Sequence, residues 1–255
     1  MRDAPPWRRA FSVMKAYPEE TMLPLLVTQG PLAVLNAVVY FVLYQHAYPQ
    51  AKYDTLNPIG EAPPTLVLWL VLTNAVYSLF TLVGAAATMV SVRAALAEKP
   101  LSLSKALDPA FTRMGGLLVL GVLFNVMLGV TLVGIIVVLY LVIRFGLAFH
   151  VYILGDAHAM AALGRSWQLL RGRMLRFVGV LISATPVIAG VVLAGSLAMG
   201  IALAPFVSDD LGRTATISLN AVAFLVFGLL AVPIGAYVSG LTTIFYLDIT
   251  EEAHA

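Results

Sequence analysis

The side chains that could carry chemistry in this sequence are few, and none of them forms a known catalytic pattern. The chain contains no cysteine and no G-x-S-x-G, H-E-x-x-H, phosphate-loop or dinucleotide-binding motif. His150, Asp156 and His158 are close in sequence, but their spacing matches no familiar metal site. We therefore predict no catalytic site, no metal and no cofactor.

Arginines form the more distinctive group of functional candidates. Between residues 144 and 176 they accompany a tryptophan, and guanidinium groups bind phosphate oxygens through parallel N–H donors. The formal net charge of the whole chain is only +2, which argues against a broad surface for nucleic acid. The candidate anion-binding and lipid-binding residues are Arg144, Arg165, Trp167, Arg171, Arg173 and Arg176.

The composition indicates a membrane protein. Hydrophobic residues make up 60% of the 255 residues and charged residues 11%, whereas soluble domains average about 45–50% and about 25%. The charged side chains are too few to cover a soluble fold of this size, so lipid must be the main solvent.

Apolar stretches long enough to cross a bilayer, for which about 20 helical residues suffice, recur along the chain. The stretch from Gly115 to Leu154 has 40 residues and is predicted to fold back at Gly129–Gly134. The first stretch is too long for a signal peptide, so we expect it to be retained. We predict an all-α, polytopic membrane helix bundle, a single domain over residues 1–255. Its six transmembrane helices span about 22–46, 65–92, 115–131, 133–154, 177–204 and 214–247.

The distribution of Lys and Arg predicts the orientation. In a six-span arrangement twelve of these residues fall on one side, and only Lys52 and Arg213 fall on the other. Because positively charged loops stay in the cytoplasm, both termini are predicted to be cytoplasmic.

Three basic segments precede the first, third and fifth predicted spans. Each of them also carries apolar residues at i, i+4 and i+7, which places these residues on one helix face. These stripes predict three interfacial amphipathic helices at about 5–16, 102–114 and 157–174. In the second segment, Asp108 and Pro109 predict the start of a new helix. The pattern has two interpretations. The chain contains three copies of an interfacial helix followed by a transmembrane hairpin, or these are the amphipathic segments that flank the spans of any multi-pass protein. The stripes are Trp7, Phe11 and Met14; Leu107, Phe111 and Met114; and Leu163, Trp167 and Leu170.

Arg144 is the one formal charge within the predicted spans. A charge at a helix centre costs about 2.5–3.5 kcal/mol on insertion scales, which marks it as a functional candidate. Its partner is then Asp156, Asp248 or a lipid phosphate. The alternative is that Arg144 extends its guanidinium to the cytoplasmic headgroups.

Small residues one turn apart predict close contacts between helices. They occur at 84–88, at Gly190 with Ala194, and at Gly235 with Ser239. These contacts are either internal or between subunits.

Two segments, RFGLAF at 144–149 and ALGRSWQLLRGRMLRFVG at Ala162–Gly179, resemble a known pattern. It is similar to that of uncharacterised prokaryotic six-helix membrane proteins related to the membrane domain of some glycerophosphodiester phosphodiesterases. The resemblance implies a six-span protein of the prokaryotic plasma membrane. We expect the catalytic domain of the longer relatives to be absent, so the resemblance implies no hydrolase activity. The matching positions are Arg144, Ala162, Leu163, Arg165, Ser166, Trp167, Leu169, Arg171 and Gly172.

Together these features predict a non-enzymatic membrane protein that handles or senses lipid or a small solute at the cytoplasmic leaflet. In this hypothesis the arginines bind anionic headgroups of membrane lipids, and Trp167 sets the depth. One alternative is a structural or accessory subunit, as a homo-oligomer or with another membrane protein. A second alternative is a membrane-embedded enzyme that acts on lipid phosphates.

Overall fold

A computed structural model describes residues 4–43, 64–129, 135–203 and 213–254. These residues form ten α-helices and no strand. The helices are α1 (Pro6–Ala16), α2 (Pro18–Val42), α3 (Pro64–Leu96), α4 (Leu103–Thr112), α5 (Met114–Gly129), α6 (Ile135–Phe145), α7 (Ala148–Leu154), α8 (Ala159–Leu169), α9 (Met174–Leu203) and α10 (Arg213–His254).

Four of these helices are long and apolar enough to cross a membrane, so the chain is a helical membrane protein. They are Pro18–Val42, Val67–Leu96, Met174–Met199 and Ile217–Ala253. The pair Leu103–Thr112 and Met114–Phe124, bent by 68°, counts as a fifth span if it is taken as one unit. The sixth span stays a prediction, and the hairpin turn expected at Gly129–Gly134 lies almost wholly outside the described residues.

Helices α2, α3 and α10 form the centre of the bundle, where small residues let the backbones approach. A Cβ added at Gly84 would lie 3.2 Å from the Leu25 Cα, and one at Gly235 would lie 3.3 Å from the Leu25 side chain. The buried hydroxyl of Thr88 donates to the Thr21 carbonyl of α2 at 3.3 Å. Two of the predicted small-residue contacts are therefore internal.

The third small-residue position is open. A Cβ added at Gly190 would meet no atom within 4 Å, and Ala194 is also exposed. The face of α9 that carries Gly190 and Ala194 is therefore open, in contrast to Gly84 and Gly235, whereas a Cβ added at Gly195 on another side of the helix would clash with Leu230 of α10.

The prediction of a helix start at Asp108 is wrong. Helix α4 runs through Pro109, and the chain bends only after Thr112, at Arg113. At the bend, Tyr152 of α7 donates its hydroxyl to the Arg113 carbonyl at 3.1 Å. The Leu117 N–H of α5 binds the same carbonyl at 3.1 Å, so Tyr152 adds a contact between α7 and the start of α5.

The contrast between Gly84 and Gly190 gives a prediction for stability. We expect Gly84→Ala to lower the free energy of unfolding by about 1–3 kcal/mol, because the new methyl group overpacks the contact with α2. The matched Gly190→Ala variant should stay within about 0.5 kcal/mol of the parent. Unfolding in detergent micelles measures both values, and equal losses in the two variants would contradict the packing described here.

Candidate functional site

The predicted span at 133–154 is interrupted in its second half. Helix α6 ends at Phe145 and α7 begins at Ala148, so the expectation of one continuous helix is wrong. At the interruption, a Cβ added at Gly146 would lie 2.7 Å from the Phe177 ring and 3.2 Å from the Ile143 carbonyl. Close approach of α9 therefore requires glycine at this position.

A break in a membrane helix leaves backbone groups that the protein must satisfy itself. Ser166 of α8 does so with one hydroxyl, which is fully buried. It accepts a hydrogen bond from the Leu147 N–H at 3.2 Å and donates one to the Arg144 carbonyl at 3.0 Å. Helix α8 approaches this break with its small-residue face, since Ala162 is also fully buried.

Arg144 lies at the same break, with its guanidinium beside two aromatic rings. Its Cζ lies 4.7 Å from the Trp167 ring centroid and 5.3 Å from that of Tyr140. Its Nε donates to the Tyr140 hydroxyl at 3.1 Å and its Nη1 to the Trp167 carbonyl at 3.4 Å. The two rings meet edge to face, with centroids 5.8 Å apart. Among the described residues no carboxylate lies within 4.0 Å of Arg144, so π faces and neutral oxygens surround the cation.

The predicted ion-pair partners of Arg144 are wrong. Asp248, near the end of α10, faces α1 and accepts from Arg9 Nη1 at 2.8 and 3.0 Å. Asp156, which follows α7, pairs with Arg113 at the bend between α4 and α5. The hydrogen bond and charge of Arg113 hold the pKa of Asp156 below its usual value. Each aspartate is thus neutralised by an arginine that is nearer in the fold than Arg144.

Two further arginines bind the end of α7, where free carbonyls carry partial negative charge. Arg93 donates to the Leu154 carbonyl at 3.1 Å, and Arg113 donates to those of Tyr152 and Ile153 at 2.8 and 3.1 Å. Sequence reasoning used Arg93 and Arg113 only to assign topology. Their position at the ends of α3 and α4 was the available signal for a capping role.

The other candidate arginines fall into two groups. Arg173 and Arg176 both contact Glu252 of α10, at 3.7 and 2.7 Å, and so join α9 to α10. Arg165 and Arg171 are exposed and have no carboxylate within 4.0 Å in the described part of the chain. The structure therefore brings Arg144 into contact with Trp167, and it pairs Arg173 and Arg176 with a carboxylate instead.

These contacts gather six arginines at one end of the described helices, here named the basic end, and we include Arg144, Arg165 and Arg171 in that name. Its ion-paired and capping arginines are Arg9, Arg93, Arg113, Arg173 and Arg176.

The short helices α1, α4 and α8 share a second feature. Each buries small residues against the bundle and leaves large apolar side chains exposed. Location at a membrane surface stays a prediction for all three helices. The buried residues are Ala10, Ala106, Ala110, Ala162 and Ser166, and the exposed ones are Trp7, Phe11, Phe111 and Met160.

The fold and the site define a helical membrane domain in which a serine hydroxyl bridges the two backbone groups at a helix interruption. Residues 125–254, just over half of the chain, match the family described as the membrane domain of glycerophosphoryl diester phosphodiesterase. The chain belongs to this family, which confirms the prediction from the two segments at 144–149 and 162–179. Neither a curated protein nor a solved structure matches the chain.

The role of Ser166 gives a second prediction. We expect Ser166→Ala to lower the free energy of unfolding by about 1–3 kcal/mol, because it leaves two buried backbone groups without partners. Ser104→Ala, an exposed serine of α4, serves as the matched control and should have no measurable effect. Unfolding in detergent micelles tests both variants, and an unchanged midpoint for Ser166→Ala would refute the bridging role.

Proposed function

We propose that this protein is a non-enzymatic membrane protein that binds anionic lipid at the cytoplasmic leaflet, with Arg144 as the residue that meets the phosphate. The observation that carries the proposal is the setting of Arg144, a cation at a helix break with no carboxylate partner among the described residues. Its lipid partner supplies the negative charge that the protein does not.

The geometry of Arg144 suits an anion. A guanidinium group has five N–H donors, and the Tyr140 hydroxyl and the Trp167 carbonyl use two nitrogens, Nε and Nη1. The remaining donors are available to phosphate oxygens, which guanidinium binds in parallel pairs. The two rings hold the group in place through cation–π contacts, each worth about 0.5–2 kcal/mol. The site is thus organised before the anion arrives.

The arginines of the basic end divide their roles in this proposal. Arg165 and Arg171 attract the anionic surface, since neither is paired with a carboxylate in the described chain. Arg173 and Arg176 share Glu252, so they mainly hold α9 to α10. Trp167 both positions Arg144 and sets the depth of α8 in the interface, where indole rings concentrate.

The proposal places the basic end at the cytoplasmic face of a prokaryotic plasma membrane, with six spans and both termini inside. The uneven distribution of Lys and Arg supports this orientation. The exposed Trp7, Phe11 and Phe111 support interfacial positions for α1 and α4, because such side chains suit the boundary between headgroups and acyl chains.

A binding role suits the contacts of Arg144 better than a catalytic one. They consist of two rings, a phenol and a backbone carbonyl, and acid–base chemistry relies mainly on imidazole or carboxyl groups within hydrogen-bond reach. The family match concerns a membrane domain and supports the architecture.

Lipid retention tests the proposal. We expect the double variant Arg144→Glu and Arg171→Glu to retain at least about fivefold less anionic lipid than the parent, because it removes the guanidinium proposed to bind the phosphate, and a hydrogen bond to a charged group is worth about 1.5–3 kcal/mol. Native mass spectrometry and quantification of phosphatidylglycerol after mild detergent purification provide the measurement.

The control is the charge-matched variant Lys15→Glu and Lys99→Glu, which reverses two exposed cations away from Arg144. It should retain near-parental amounts of lipid. An equal loss in the two double variants would show unspecific attraction and defeat the proposal for Arg144, as would full retention in both.

A specific observation also favours a second candidate, a subunit that associates through α9. Small residues and a proline spaced four apart form an exposed ridge along this helix, and such ridges allow close helix contact in membranes. The ridge consists of Pro186, Gly190, Ala194 and Ala198.

The second candidate predicts loss of association in Gly190→Leu. The larger side chain should keep a facing helix away while the fold of the single chain stays intact, since the space beside Gly190 is open. Val192→Phe adds bulk to another exposed position of α9 and serves as the control. Energy transfer between labelled copies in liposomes, and co-purification from membranes, measure association. Unchanged association in Gly190→Leu would exclude the ridge as the contact.

A further inference from the structure

The hydroxyl of Tyr140 has an unused donor beside the cation of the candidate site. Tyr140 and Arg144 lie one turn apart on α6, and Arg144 Nε donates to the Tyr140 hydroxyl oxygen at 3.1 Å. Because a guanidinium nitrogen only donates, this hydrogen bond uses a lone pair of the phenol and leaves its O–H group over. Within the described residues the O–H of Tyr140 has no acceptor.

The ring of Tyr140 is held in place by its neighbours and is still accessible. It meets the Trp167 ring edge to face, with centroids 5.8 Å apart, and its own centroid lies 5.3 Å from Arg144 Cζ. Trp167 in turn contacts Phe145, with centroids 5.7 Å apart. Tyr140 is nevertheless 40% exposed. The hydroxyl therefore has a defined position that a molecule outside the protein can reach.

The shape of the guanidinium group determines where an anion bound to Arg144 meets this hydroxyl. The Nε–H and one Nη2–H of a guanidinium point in the same direction, so the two together bind two oxygens side by side. In Arg144 the Tyr140 oxygen occupies Nε, the Trp167 carbonyl occupies one donor of Nη1, and no described residue binds Nη2. An oxygen that accepts from Nη2 on this edge lies next to the Tyr140 hydroxyl.

We infer that Tyr140 is a second ligand-binding residue, whose O–H donates to the same anionic oxygen that accepts from Arg144 Nη2. The inference rests on the proposed function, which supplies the phosphate. The phenol takes the donor position that Nε has lost, so the anion still meets two donors on this edge. The ligand atom must accept two hydrogen bonds, as a charged phosphate oxygen does.

The inferred role differs from that of a residue that only positions Arg144. A positioning tyrosine accepts from Nε and keeps its O–H in water when the anion is bound. A ligand-binding tyrosine accepts from Nε and also donates to the anion. The two roles therefore differ in the state of the phenol O–H, which can be measured directly.

Carbon NMR of the tyrosine Cζ atoms tests this state in the full chain, purified in a maltoside detergent that contains no phosphate. We expect the Tyr140 signal to move downfield when phosphatidylglycerol is added, because a phenol that donates to an anion gains phenolate character. Tyr140→Phe identifies the signal by removing it. The control is the signal of Tyr17, which lines a separate cavity and should not move.

Replacement of Tyr140 with 3-fluorotyrosine tests the same role through affinity. Fluorine makes the phenol a better donor and a poorer acceptor, so we expect the affinity for phosphatidylglycerol to rise about twofold. A tyrosine that only accepts from Arg144 predicts no rise. The same replacement at Tyr17 is the matched control and should leave the affinity unchanged. Native mass spectrometry at a mildly acidic pH, which keeps the substituted phenol protonated, provides the measurement.

Arg144→Gln separates the failure of this inference from that of the proposed function. We expect it to lower the affinity for phosphatidylglycerol at least about tenfold and to abolish the shift of the Tyr140 signal, because the charged hydrogen bonds to the phosphate are lost. If Arg144→Gln weakens binding but the parent shows no Tyr140 shift, or fluorination brings no gain, the inference is overturned and the proposed function stands. Unchanged binding in Arg144→Gln overturns both.

Inorganic phosphate distinguishes the two sources of the anionic oxygen. A shift of the Tyr140 signal with phosphatidylglycerol, and none with inorganic phosphate alone, supports a lipid headgroup as the ligand. The same shift with inorganic phosphate alone supports a free anion that binds to the same pair of donors.

Discussion

The basic end depends on one constraint, that backbone groups released by a helix break inside a membrane need partners from the protein itself. Within the described residues, consecutive helices are interrupted at Arg113 and at Gly146–Leu147. At the first, Tyr152 adds its hydroxyl to the Arg113 carbonyl, which α5 also binds. At the second, the hydroxyl of Ser166 accepts a hydrogen bond from Leu147 and donates one to the Arg144 carbonyl. Each break therefore requires a particular neighbour, and these neighbours fix how α7 and α8 pack.

Backbone carbonyls at a helix end also explain how two of the arginines are used. Arg93 and Arg113 bind the carbonyls that end α7, and Arg113 also binds Asp156. Arg9 and Arg176 join α10 to α1 and α9 through carboxylates. Of the five arginines that the sequence suggests as ligand-binding residues, Arg173 and Arg176 are engaged with Glu252. Arg144, Arg165 and Arg171 have no carboxylate within 4.0 Å among the described residues, and Arg144 is the least exposed of the three.

The sequence predicts the long helices well, because an apolar run of sufficient length has one stable form in lipid. The predicted spans at 22–46, 65–92, 177–204 and 214–247 correspond to α2, α3, α9 and α10. It did not predict the break at Gly146, since glycine is common in membrane helices and the Phe177 ring that requires glycine there is distant in sequence. The partners of Asp156 and Asp248 were missed for a related reason. Charge alone does not say which of several arginines the tertiary fold brings within reach.

The family pattern acquires a physical meaning from these contacts. Its first part places Arg144 and Gly146 at the break, and its second part brings Ser166 and Trp167 to the same point. Gly172, with φ of 77°, makes the turn from α8 into α9 without the strain that a side chain would impose. The contacts and backbone conformations of the fold thus explain Gly146, Ser166 and Gly172 in the pattern. Arg144 contributes in two ways. Its backbone carbonyl binds Ser166, and its guanidinium packs against Tyr140 and Trp167 with no carboxylate within 4.0 Å among the described residues. A charge without a counter-ion costs free energy near lipid, and in the proposed function this charge is the part of the pattern that meets the ligand.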